Sequence, residues 1–87
     1  MSHVILPCGF EGDIDENAVN DMEFLDALTE LQEGDPTALS KMCSLLFTRD
    51  EKKRFYDACR NESGRAEPER VSEQLTELLK QLTNKKK

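Results

Sequence analysis

The chain has 87 residues, of which 37% are hydrophobic and 34% charged, values that fit one small domain with a modest core and exclude a disordered polyelectrolyte. It has no apolar run near the roughly 18 residues that a membrane span needs, and Val4-Ile5-Leu6 is cut short at once by Pro7, Cys8 and Gly9, which leaves no secretory core, so a cytoplasmic chain is expected. The net charge of −6 is unevenly placed, because Met1 to Ser40 holds ten acidic residues and no Lys or Arg, whereas Lys41 to Lys87 holds twelve basic and eight acidic ones. Such opposed halves favour folding against each other, or weak head-to-tail self-association.

Residues 1–17 lack a helical period and carry Pro7, Gly9 and Gly12 close together, which predicts an irregular acidic arm with one short strand around His3 to Leu6. From Ala18 to Leu31 the residues Val19, Met22, Leu25, Leu28 and Leu31 recur at steps of three, opposite Glu23, Asp26, Glu30 and Glu33, which predicts an amphipathic helix with an acidic outer side. Gly34 ends it. Asp35-Pro36 is a helix-start signal, and the following stripe of Leu39, Met42, Cys43 and Leu46, widened by Ala38, Leu45 and Phe47, predicts a central helix.

Thr48 and Glu51 have capping-box spacing, so a third helix is predicted from Arg49, turning Phe55, Ala58 and Cys59 inward. Asn61 to Pro68, with Gly64 and alternating charges, reads as a loop. A fourth helix is predicted from Pro68 to about Leu82, with Val71, Leu75, Leu78, Leu79 and Leu82 on one side; Thr83 to Lys87 reads as a flexible basic tail.

Few residues here suit covalent chemistry. A hydrolytic triad needs a histidine beside a nucleophile, and His3, the one histidine, lies in the predicted arm. Zinc needs four ligands, and His3 with Cys8 has no second close pair to complete a set. The carboxylates Asp21, Glu23, Asp26, Glu30 and Glu33 have the spacing of a solvated helix side. Gly9 and Gly12 lack the lysine of a phosphate loop. Cys8, Cys43 and Cys59 are odd in number and far apart, as expected of reduced thiols, with Cys43 and Cys59 in the core. Lys52-Lys53-Arg54-Phe55-Tyr56, with Arg49 and Arg60, is the one segment with the composition of a nucleic-acid patch; Asp50, Glu51 and Asp57 balance it, and nucleic acid is not the expected partner. No catalytic residue, metal or cofactor is therefore expected.

From Ala18 to Leu82 the chain resembles the tail assembly chaperones of long-tailed bacteriophages and prophages of Gram-positive bacteria. The similarity is carried by the acidic segment with Met22, Phe24, Leu25 and Leu28, the Gly34-Asp35-Pro36 turn, the helix with Leu39, Leu45 and Leu46, the charged third helix, the Gly64 loop, and the closing helix Val71 to Leu82. The turn before the third helix often carries a glycine in that family, whereas Phe47-Thr48-Arg49 stands here. The resemblance implies a non-enzymatic chaperone that coats the tape-measure protein and helps recruit tail-tube subunits. Chaperones of this kind are commonly also made as a longer, frameshifted form.

The expected fold is all-α, a small bundle of about four helices over 18–82, with an extended arm over 1–17 and a flexible tail over 83–87. Candidate partner-binding residues are Leu75, Leu78, Leu79 and Leu82 on the last helix, whose stripe either closes the domain's own core or docks on a partner, together with Met22 and Phe24. The alternative function is a small acidic adaptor or regulatory protein that binds one folded partner, with weak nucleic-acid contact through Arg49 to Arg60.

Overall fold

In the computed structural model, which describes residues 2–84 and side chains from Ser2 to Leu82, the chain is mostly helical but not all-α. Strands β1 (Ser2–Ile5) and β2 (Glu11–Ile14) pair antiparallel, with Val4 opposite Gly12 and Ile5 opposite Glu11. A 3-10 turn over Glu16–Val19 follows, then helices α1 (Met22–Gln32), α2 (Thr37–Leu46), α3 (Arg49–Cys59) and α4 (Pro68–Asn84). Residues 85–87 of the expected basic tail lie outside the described residues.

The hairpin corrects the irregular arm. Its loop is Pro7-Cys8-Gly9, in which the Leu6 amide donates to the Phe10 carbonyl at 2.8 Å and Gly9 takes φ +102°, a conformation that glycine reaches without a Cβ clash. Side chains alternate across a strand, so Val4, Leu6, Phe10 and Ile14 all point into the core while His3, Ile5, Glu11 and Asp13 face out. Gly12 leaves room for Phe10 to fold back over the strand, since a Cβ there would lie 3.2 Å from the ring.

A two-stranded ribbon has two open edges, each able to template further pairing, and in this protein a side chain occupies each. The Gln81 amide of α4 donates to the Ile5 carbonyl at 2.8 Å and accepts from the Ile5 amide at 3.4 Å, in the manner of a neighbouring strand. On the other edge Arg54 of α3 donates to the Glu11 carbonyl at 3.1 Å, with its guanidinium 5.4 Å from the Phe10 ring centre. One helix turn-pair before Gln81, Gln74 accepts from the Cys8 amide at 3.2 Å, so α4 grips the ribbon at its strand and at its loop.

Helix α1 begins at Met22, later than the predicted Ala18, because Asp21 is extended and its carboxylate accepts from the Glu23 amide at 3.1 Å as an N-cap. Its buried side is also rotated from the predicted stripe. Phe24 and Ala27 are buried, Leu28 and Leu31 half-buried, and Met22 and Leu25 exposed. Steps of three residues fall about 60° short of a full turn each time, so Val19 to Leu31 cannot stay on one side of a helix with 3.6 residues per turn, whereas Phe24, Ala27, Leu28 and Leu31 do.

The later elements follow their sequence signals. Gly34 closes α1 at φ +100°, and the Asp35 carboxylate accepts from the Thr37 amide at 3.0 Å at the start of α2. Ala38, Leu39, Met42, Cys43 and Leu46 of α2 are buried, as befits a central helix. Thr48 and Glu51 form the predicted reciprocal capping box at α3. Asn61 organises the loop after it by accepting from the Ser63 and Arg65 amides, with Gly64 at φ +83°. Phe10, Phe47 and Phe55 pack as a triad with ring centres 5.0–5.5 Å apart, joining hairpin, α2 and α3.

Candidate protein-binding surface

Four of the six candidate partner-binding side chains lie inside the domain. Leu75, Leu78 and Leu82 of α4 and Phe24 of α1 are each no more than 2% exposed, and Leu79 is half-buried against them. The leucine stripe of α4 therefore closes this domain's own core, the first of the two fates its spacing allowed. Met22 differs, being 68% exposed.

Leu25 stands one turn along α1 from Met22 and is 44% exposed, so the two form an apolar ridge bordered by Asp21, Glu23 and Asp26. Exposed apolar side chains lose water only when something covers them. Ile5, 59% exposed on the outer side of β1, is a further uncovered apolar group. Sequence reading placed Leu25 inward because of its spacing from Met22, and the signal that separates them from the core is Phe24, the larger apolar residue about 100° around the helix.

A second feature is a cleft of about 190 Å³ among α2, α3 and the start of α4, lined by Pro36, Leu39, Ser40, Tyr56, Ala66 and Val71. Its polar groups are already partnered. The Lys52 ammonium donates to Ser44 at 2.7 Å and to Ser40 at 3.4 Å, and sits 5.7 Å from the Tyr56 ring centre. Burial raises the Tyr56 pKa and pushes the Cys43 thiol up to about 11, so neither is an activated base or nucleophile.

The basic residues of the third helix are engaged in similar ways. Lys53 and Arg60 both bind the Asp57 carboxylate, at 3.1 and 2.9 Å, and hold it below the usual carboxylate range; Arg60 also donates to the Gly64 carbonyl. With Arg54 on the ribbon edge and Lys52 over Tyr56, four of the five basic side chains of this segment, Lys52, Lys53, Arg54 and Arg60, make contacts within the domain. Among the described residues no group of three or more His, Cys, Asp or Glu side chains is placed to hold a metal ion, and no helix is long and apolar enough to cross a membrane.

His3 is held between two carboxylates on β2, with Nδ1 2.9 Å from Asp13 and Nε2 2.7 Å from Glu11. Hydrogen bonds to Asp13 and then Glu11 raise its pKa above 6.5. A folded-state pKa raised above the unfolded value stabilises the fold fully below that unfolded value, and the contribution disappears as pH rises through the folded one. The urea midpoint is accordingly expected to fall as pH rises above about 6.5, the unfolded value. In His3→Gln this slope flattens, and an unchanged slope would mean that the imidazole is not the titrating group.

Comparison of the chain with protein-family models, with curated proteins and with solved structures finds no match.

Proposed function

We propose that this chain is a non-enzymatic assembly chaperone that holds a helical client through the Met22-Leu25 ridge, in the manner of the phage tail assembly chaperones it resembles. The client on this reading is the tape-measure protein, held until tail-tube subunits replace the chaperone around it. The observation that carries the proposal is the ridge itself: two large apolar side chains, one turn apart, left in water on a helix whose inward side is already filled by Phe24 and Ala27.

The acidic border specifies the kind of helix that fits. Asp21, Glu23 and Asp26 flank the ridge, and the first 40 residues contain no Lys or Arg, so the favoured client is an amphipathic helix with Lys or Arg beside its apolar stripe. A ridge of two side chains gives a small contact. That suits a holder which must be displaced, because modest affinity lets tube subunits compete.

The test is direct binding and solubility. The full chain is expected to keep a helical tape-measure fragment soluble, and the double variant Met22→Lys with Leu25→Lys is expected to bind it about tenfold or more weakly, the scale of losing an interface anchor. Both positions are exposed, so the variant retains its fold by circular dichroism. A client bound equally well by wild type and variant would place the contact elsewhere, and a client not bound at all would end the chaperone reading.

A further inference from the structure

Two apolar features of the surface are complementary in shape. One is the cleft of about 190 Å³ among α2, α3 and the start of α4, lined chiefly by Pro36, Leu39, Ala66, Pro68 and Val71. The other is the ridge of Met22 and Leu25, in which Met22 is the more exposed of the two and projects further. An apolar cavity of roughly 150 Å³ takes up benzene, so the cleft has room for a Met side chain.

The charges beside the two features are opposite in sign. Glu23 and Asp26 flank the ridge, and among the described residues neither makes an ion pair. Lys52 stands at one rim of the cleft, where it donates to the Ser40 hydroxyl at 3.4 Å and lies 5.7 Å from the Tyr56 ring centre, with no carboxylate partner among the described residues. Arg65 belongs to a shallow depression that adjoins the cleft across Ala66 and Pro68, and it too makes no ion pair among the described residues. The same depression holds Glu67, Glu69 and Arg60, the last already bound to Asp57. The cations open to an incoming carboxylate are therefore Lys52 and Arg65, and each exposed pair adds little.

We propose that the cleft receives the Met22 side chain of a second copy of this chain, with Leu25 covering its rim and Glu23 and Asp26 meeting Lys52 and Arg65. Ridge and cleft are different patches, so the contact is head-to-tail, and each copy offers its ridge to one neighbour and its cleft to another. The area covered is small, which keeps the dissociation constant on the order of millimolar. Because the ridge is also the surface assigned to the client, a client and a second copy exclude each other on it. The self-contact needs no client, and its failure leaves the client proposal standing.

The experiment is sedimentation of the full chain from about 10 μM to about 1 mM, a range that reaches the expected dissociation constant. The average mass is expected to rise with concentration, and the association to weaken about threefold or more in roughly 0.5 M salt, where exposed charges are screened. Met22→Gln with Leu25→Gln removes the apolar ridge, and Lys52→Glu with Arg65→Glu makes the flanks of the cleft repel it. All four positions reach solvent, so both variants keep their fold by circular dichroism, and each alone is expected to stay monomeric. Mixed in equal amounts they are expected to form a one-to-one dimer and nothing larger, since one intact ridge then meets one intact cleft. A wild-type chain that stays monomeric throughout, variants that associate as the wild type does, or a mixture that does not pair would each overturn the proposal.

Discussion

A chain that starts at Asp15, without the hairpin, is expected not to fold cooperatively. Val4, Leu6, Phe10 and Ile14 are at most 3% exposed, and burying four such side chains is worth roughly 1.5–3 kcal/mol each, or about 6–12 kcal/mol together. Domains of this kind are stable by only about 5–15 kcal/mol, and small ones lie at the low end. Removing the ribbon also takes Phe10 out of the aromatic triad, uncovers Phe47 and Phe55 and frees the Gln74 and Gln81 amides. The measurement is urea unfolding followed by circular dichroism. A truncated chain with a sigmoidal transition near that of the full chain would show that the first 14 residues are a detachable arm after all.

Replacing Phe55 by Ala is expected to be the most damaging single change. Phe55 is fully buried, and its ring lies 5.5 Å from that of Phe10 and 5.0 Å from that of Phe47. It is therefore an α3 side chain that packs on both the hairpin and the end of α2. Truncation of a buried Phe costs about 3–5 kcal/mol through lost transfer energy and the cavity left behind. At roughly 4–8 °C per kcal/mol for a domain of this size, the thermal midpoint should fall by at least about 12 °C. Phe55→Leu keeps most of the volume and should lose less than half as much. A Phe55→Ala chain within a few degrees of wild type would show that the triad is not a packed unit.

The two variants probe the same joint from its two sides. The hairpin contributes Phe10, α2 leads into Phe47 and α3 contributes Phe55, while α4 lies along β1 and presents Gln81 to it. Acidic and basic halves also meet, though weakly. Glu30 to Lys41, at 3.1 Å, crosses the divide with both side chains about half exposed, and such a pair is worth at most about 1 kcal/mol. Apolar burial, not the charge asymmetry, joins the halves.

The helices from α2 onward were legible in the sequence because their signals are local. Asp35 before Pro36, the Thr48 and Glu51 pair, Gly34, Gly64 and a leucine stripe at helical spacing each act within one or two turns, and neighbouring residues suffice to specify them. The internal fate of Leu75, Leu78 and Leu82 was one of two readings the sequence left open, since a stripe looks the same whether it meets its own core or another protein.

What the tertiary structure alone decided is how each apolar group is oriented and what covers it. The second strand, Glu11-Gly12-Asp13-Ile14, has poor strand propensity and one apolar residue, and it becomes a strand because β1 pairs with it and Phe10 and Ile14 find a core formed by residues far along the chain. At 3.6 residues per turn Phe24, Ala27, Leu28 and Leu31 share a side of α1 that Met22 and Leu25 do not, and packing against the other elements made that side the covered one. Local hydrogen-bonding and capping groups determine where a helix begins and ends; which of its sides is buried depends on long-range packing that no short window of sequence contains.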